Sequence, residues 1–136
     1  MITGTYAVAG VLLLATAILF SLDAFTAWTQ TIAWMLIFFF ASAAASSAYL
    51  TASEIFPLEA RALAIAIFYA LGTAIGGASG PLLFGYLIGS GATVAVAGGY
   101  TVAAILMLIA AGAELRFGID AERRSLASIA EPLSAT

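Results

Sequence analysis

Glu54 and Arg61 carry the most readily interpreted chemistry in this sequence, because they place a carboxylate and a guanidinium seven residues apart. Phe56 and Pro57 lie between them, and a proline disfavours helix for the residue that precedes it. The two charges are therefore expected on either side of a turn, where they can pair with each other or with neighbouring helices. An ordinary charged turn is the alternative interpretation.

Polar and aromatic side chains recur at spacings of three and four just before this turn. They are Phe38, Ser42, Ser46, Tyr49 and Ser53. At about 100° per residue, these positions share one narrow face of a helix. Such a face can line a polar cavity that receives a solute. In the alternative, the serine hydroxyls bond back to their own helix or to a neighbour, which is common in membrane bundles.

Small residues dominate the segment after the turn. They include Gly72, Gly76, Gly80, Pro81 and Gly85. Glycines spaced four apart let helix backbones approach closely, so a packing seam between helices is the first interpretation. Pro81 removes the backbone hydrogen bond to the carbonyl of Gly77 and should kink the helix. A kink surrounded by glycines can also serve as a hinge.

The residue types on which many enzymes and metal sites depend are missing, because the sequence contains no Cys and no His. Disulfides, thiolate or imidazole metal sites and Ser-His or Cys-His nucleophiles are thereby excluded. We expect no enzyme, no metal and no other cofactor. The sequence also has no Lys and a net charge of −3, so it lacks the basic face that a nucleic acid requires.

The elements that must position these residues follow from a composition that is 64% hydrophobic and only 8% charged. Soluble domains contain roughly 45 to 50% apolar and about 25% charged residues, so lipid is the expected solvent. Four segments have the roughly 20 apolar residues that a membrane span needs: residues 3–22, 32–52, 62–88 and 93–113. Short connections predict antiparallel neighbours, and hence an all-α integral membrane bundle over residues 1–113.

Orientation is predicted by the arginines, which lie only in the second connection and the tail: Arg61, Arg116, Arg123 and Arg124. Positively charged connections stay on the cytoplasmic side. We therefore expect a plasma (inner) membrane protein with both termini in the cytoplasm and a cytoplasmic tail over residues 114–136. Trp28 and Trp34 flank the outer start of the second span, where either an interfacial position or ordinary packing is expected. Expected partners are the lipid bilayer, a small-molecule solute and other membrane helices.

The run from Ser53 to Arg61, S-E-I-F-P-L-E-A-R, resembles the S/A-E-x-F-P-x-x-x-R motif of major facilitator superfamily transporters. In that family, and especially in its sugar-porter and metabolite-symporter branches, the motif joins the tenth and eleventh helices. Residues 122–129, E-R-R-S-L-A-S-I, resemble a degenerate form of the P-E-T-K-G-R-S-L-E-E-I segment after the last helix. The resemblance covers essentially the whole chain and implies helices nine to twelve, within the C-terminal bundle.

This resemblance implies roles for individual residues. Glu54 and Arg61 would belong to a cytoplasmic gate. Glu54 would pair with basic residues before the ninth helix, and Arg61 would pair with an acid of the N-terminal half. Tyr49 would stack on a sugar. Neither gate partner is present in the sequence, so we expect a C-terminal fragment of a transporter of about 12 helices, inactive alone.

Sugar-specific contacts differ from the family pattern. Residues 44–49 (AASSAY) stand where sugar porters have a G-P-x-x-W kink, and Gly72 and Thr73 replace an Asn-Trp pair. The expected substrate is therefore a small metabolite, such as a sugar or an organic acid. Any acid that couples transport to protons is expected outside this sequence, because Asp23, Glu54 and Glu114 all lie near span ends.

Two other functions remain open. The first is a stand-alone four-helix transporter that works as an oligomer, as in the small multidrug resistance family. That family relies on a membrane-embedded Glu in its first helix, and residues 3–22 contain no acidic residue. The second is a membrane subunit or assembly factor that transports nothing, in which the glycines and the charges of the turn serve packing alone.

Overall fold

Four α-helices form the protein in this computed structural model, which describes residues 2–118 except for the side chains of Glu54 and Leu58. The helices are α1 (Ile2–Ser21), α2 (Ala27–Ile55), α3 (Leu58–Gly89) and α4 (Thr93–Phe117). Each is long and apolar enough to cross a membrane. The predicted all-α class with four potential spans is confirmed, and the described residues contain no strand.

The connection between α1 and α2 is shorter than predicted. Asp23 adopts a left-handed backbone conformation (φ 56°), and the N–H of Ala24 donates to the carbonyl of Leu19 at 3.0 Å. Thr26 then caps α2 reciprocally with Thr29, whose side chain accepts from the backbone N–H of Thr26 at 2.8 Å. This capping box starts the helix at Ala27, five residues before the predicted span of about residues 32–52.

The turn between α2 and α3 has the predicted cause. Phe56 is extended, with φ −89° and ψ 140°, and Pro57 follows it as the N-cap of α3. The N–H of Arg61 donates to the carbonyl of Pro57 at 2.9 Å, which closes the first turn of α3. The steric restriction that proline imposes on the preceding residue ends α2 here.

The last helix starts at Thr93, as predicted, after a tight turn in which Gly91 has a positive φ of 70°. It continues to Phe117, so residues 114–117 of the predicted tail are helical. The rest of the tail, residues 119–136 with Arg123 and Arg124, lies outside the described residues.

Helix α1 packs chiefly against α4 and α2. Its buried positions recur every three or four residues and include Ala9, Gly10, Leu13 and Ala17. A Cβ added to Gly10 would lie 3.0 Å from Leu108 and 3.3 Å from the carbonyl oxygen of Ala104. Small residues thus bring the two backbones together, as in many membrane helix pairs.

Helix α3 is joined much more loosely to the other three. None of its described residues is buried, and its contacts with α2 and α4 are few. One close approach is at Gly99 of α4, where an added Cβ would lie 2.7 Å from Leu87 and 3.1 Å from Phe84. Most of the surface of α3 is therefore free of contact with the described chain.

Candidate functional site

The charged turn places Glu54 in the last turn of α2 and Arg61 in the first turn of α3. Their backbones are thus held at the same end of two consecutive helices. The Nε atom of Arg61 is buried and has no hydrogen-bond partner among the described atoms. The side chain of Glu54 lies outside the described part, so its pairing with Arg61 stays a prediction.

The predicted cavity face of α2 is exposed. Ser42, Ser46 and Tyr49 all lie at the surface, whereas α2 buries Ile37 and Ala44 against the other helices. Ser42 follows Ile37 by five positions, which places it roughly 140° around the helix at about 100° per residue. The stripe therefore faces away from the core that α2 shares with α1 and α4.

Hydrogen bonding separates the serines of α2 into two kinds. Ser47 donates to the carbonyl of Ala43 at 2.9 Å, and Ser53 donates to that of Leu50 at 2.7 Å. Ser42 and Ser46 have no such bond within the described part of the chain. Back-bonding to the helix therefore does not account for these two exposed hydroxyls.

Aromatic rings lie at both ends of the stripe. Phe38 stacks on Trp34, with ring centroids 5.5 Å apart and an interplanar angle of 29°. Tyr49 contacts Tyr69 of α3 at 6.1 Å, with the rings tilted by 46°. Tyr49 is still 40% exposed, so a solute or another helix can reach its ring.

The predicted glycine seam of α3 has no neighbour in the described chain. A Cβ added at Gly72, Gly76, Gly80 or Gly85 would meet nothing within 4 Å. Helix α3 also runs without interruption through Pro81. The roles of these residues in packing and as a hinge stay predictions, and any helix that fills the seam is not among α1, α2 and α4.

A cluster of aromatic rings around Tyr100 was missed by sequence reasoning. Tyr100 of α4 is 8% exposed, and its ring centroid lies 5.5 Å from Phe20, 5.4 Å from Trp34 and 5.5 Å from Phe84. These four rings come from four different helices. No local spacing could reveal the cluster, because its members are far apart in sequence.

The two tryptophans have different environments. Trp34 packs between Phe38 and Tyr100, whereas Trp28 is 82% exposed at the start of α2. Ordinary packing therefore accounts for Trp34, and the interfacial position remains available to Trp28.

Besides hydroxyl, amide and aromatic groups, the described part of the chain offers a ligand the carboxylates of Asp23, Glu59 and Glu114 and the guanidinium groups of Arg61 and Arg116. No three Asp or Glu side chains among those described come close enough to hold a metal ion. In comparisons with protein-family models, with curated proteins and with solved structures, the chain has no significant match. Functional assignment therefore rests on the residues and on their geometry.

Proposed function

We propose that this chain is the C-terminal four-helix part of a secondary active transporter of the major facilitator type, which moves a small metabolite by alternating access. The observation that carries the proposal is the S-E-I-F-P-L-E-A-R turn, located between two potential spans whose outer faces lack partners in the described chain. The four helices run antiparallel, and both termini lie in the cytoplasm.

Arg61 supports a role for the turn in a gate. The Nε atom of Arg61 is buried without an acceptor among the described atoms, and leaving such an atom unpaired is costly, because hydrogen bonds to charged groups are worth about 1.5–3 kcal/mol. A carboxylate supplied by another part of the transporter would satisfy it. Breaking and reforming that pair would let two bundles rock against each other.

The stripe on α2 supports a cavity. Hydroxyl groups that face hydrocarbon without a partner are unfavourable, and Ser42 and Ser46 lie side by side on such an exposed face. A water-filled cavity between two bundles would hydrate these hydroxyls and present Tyr49 to a solute. The glycine face of α3 would then pack on further transporter helices.

Cysteine accessibility tests the cavity, because the 136 residues contain no Cys, so an introduced thiol is the sole one within these four helices. Any cysteine in the rest of the transporter is first replaced by serine. We expect Ser42→Cys and Ser46→Cys to react with a membrane-impermeant methanethiosulfonate in membranes of the producing cell. Only thiolates react, and they form in water but not in lipid. Ser47→Cys is the matched control, because Ser47 is half-buried and bonded to Ala43.

The cavity is contradicted if Ser42→Cys and Ser46→Cys react no faster than Ser47→Cys. Protection of the reactive positions by one member of a panel of sugars and organic acids would identify the substrate class.

A second experiment distinguishes a transporter part from a stand-alone protein. We expect vesicles that contain this chain alone to take up none of the radiolabelled sugars and organic acids in the panel. An antibody against residues 62–88 should detect a protein several times larger than 13.8 kDa in native membranes. A native band at 13.8 kDa with solute-dependent flux would instead support the small oligomeric transporter, and the same band without flux would support a non-transporting subunit.

A further inference from the structure

A cleft of about 330 Å³ opens beside Tyr100, where the end of α1, the start of α2, the end of α3 and the start of α4 converge. We name it the aromatic cleft. Its wall combines the aromatic rings of Phe20, Trp34 and Tyr100 with the amide of Gln30. Gly91, Ala92 and Thr93 are exposed and border its mouth, whereas Val96 and Tyr100 are buried.

The wall of the aromatic cleft is built from packed rings. Phe20 and Trp34 meet Tyr100 edge to face, at interplanar angles of 73° and 78°. Each such pair stabilises the fold beyond the effect of the area that it buries. The rings are therefore held in place, and they present a preformed aromatic surface to a ligand.

Gln30 gives the aromatic cleft an amide group in which only one of the two polar atoms has a hydrogen bond among the described atoms. Its Nε2 donates to the Tyr100 hydroxyl at 3.5 Å, a long hydrogen bond, while its Oε1 is buried without any partner among the described atoms. Rotating the amide by 180° would bring Oε1 to the hydroxyl and leave Nε2 unpaired instead. In either orientation, one amide atom lacks a partner among the described atoms, and a buried polar atom without a hydrogen bond is unfavourable.

The residues that line the aromatic cleft also favour an uncharged ligand. Every lining residue is uncharged at neutral pH, so a charged molecule would lose its hydration without compensation. The volume falls within the roughly 300–1,000 Å³ that is typical of small-molecule sites, which combine an apolar wall with a few polar groups.

We propose that the aromatic cleft binds a small neutral aromatic molecule that carries one hydroxyl or amide group. The ring packs against Trp34 and Tyr100, and the polar group bonds to the amide of Gln30. This site does not depend on the proposed transport function, because the serine stripe of α2 faces away from the core beside which the cleft lies.

Fluorescence of Trp34 tests the proposal directly. In a Trp28→Phe variant of the full chain in lipid nanodiscs, Trp34 is the sole tryptophan. The probe is 4-nitrobenzyl alcohol, a neutral quencher with one hydroxyl, and its comparison compound is 4-nitrotoluene, which lacks the hydroxyl. We expect saturable quenching by the alcohol, with an affinity about three- to tenfold higher than that of 4-nitrotoluene.

Two variants locate the binding. Gln30→Leu should remove the three- to tenfold preference for the alcohol, because the amide is lost while the rings remain. Ala92→Phe should abolish saturable quenching, because Ala92 is exposed at the mouth and a phenyl group there would close it. Ala15→Phe is the matched control, since Ala15 is exposed and lines a different cleft of about 240 Å³ between α1 and α2.

Three results would overturn the proposal. Linear quenching without saturation, equal in a Trp34→Phe variant that retains Trp28, would mean that the probe only partitions into lipid. Absence of quenching would mean that water alone satisfies Gln30. Equal loss of saturable quenching in Ala15→Phe and Ala92→Phe would place the probe outside the aromatic cleft.

Discussion

Helices α1 and α3 use small residues in opposite ways. Gly10 of α1 is buried against Leu108 and Ala104 of α4, and the neighbouring positions continue that contact over several turns. Gly72, Gly76 and Gly80 of α3 form a more regular series, yet nothing within the described chain lies near them.

The comparison shows that a small-residue series does not identify its own partner. In lipid, apolar side chains gain little by leaving the solvent, so close van der Waals packing drives helix association. Gly10 has this packing within the chain, whereas the glycines of α3 do not. The glycine series of α3 is therefore free to pack on a further helix. The proposed transporter would contain such helices.

The largest effect is expected at the aromatic cluster around Tyr100, in which rings from all four helices meet. Tyr100→Ala should lower the free energy of unfolding by about 2 kcal/mol or more, because three aromatic contacts disappear and a cavity remains. The value should fall below the roughly 3–5 kcal/mol known for soluble cores, because lipid also solvates apolar groups. Unfolding in mixed micelles, followed by circular dichroism, measures the loss.

Tyr86→Ala is the control for this substitution, because Tyr86 lies on α3 and is 79% exposed. It should change the unfolding free energy by less than about 0.5 kcal/mol. Equal losses in the two variants would contradict the distinction between a packed and an unpacked region.

Gly10→Leu tests the α1–α4 contact itself. A leucine side chain would have to displace Leu108 or separate the two helices, at an expected cost of about 1–3 kcal/mol in unfolding free energy. Gly76→Leu should cost little or nothing in the isolated chain, because a Cβ added there meets nothing within 4 Å and leucine favours helix over glycine.

Gly10→Leu and Gly76→Leu can also be compared in native membranes, where further helices could contact the glycines of α3. If α3 packs on further transporter helices, Gly76→Leu should reduce assembly or transport there while leaving the isolated chain stable. A harmless Gly76→Leu in both settings would argue that this face of α3 contacts only lipid.

The smallest effect is expected at the link between α3 and α4. Gly99→Val should cost about 1 kcal/mol, because its side chain would push against Leu87 and Phe84, which can shift partly. Gly98→Val is the control, with the same change in helix propensity but no neighbour within 4 Å. Cross-linking between α3 and α4 in the Gly99→Val variant should fall, and an unchanged yield would show that the link tolerates the added bulk.

Local features explain which parts of the fold were predictable. The turn at Phe56 and Pro57 follows from a steric clash between adjacent residues. The start of α4 at Thr93 comes two residues after Gly91, which adopts a positive φ. The start of α2 was missed because polar residues near Thr26 indicate a loop by composition. In the structure, Thr26 and Thr29 use those same hydroxyls to cap the helix.

The candidate sites were predictable only in part, because local spacing reveals a helix face but not a contact between helices. Periodicity places Ser42, Ser46 and Tyr49 on one face of α2, and the structure exposes that face away from the core. No spacing indicates Gln30 or Tyr100, because their contact joins residues 70 positions apart. Long-range pairs leave no periodic pattern in a single sequence.

The sequence by itself determined that four apolar helices form, where a proline separates two of them, and which chemical groups are absent. Those features depend on the solvent and on residues that are adjacent in the sequence. They are therefore independent of how the helices pack. Only the tertiary structure decided that Gly10 rather than Gly76 makes a close contact, that Trp34 is packed and Trp28 exposed, and that Gln30 lies beside Tyr100. Those outcomes depend on which helices become neighbours, and that is set by the combined packing of α1, α2 and α4.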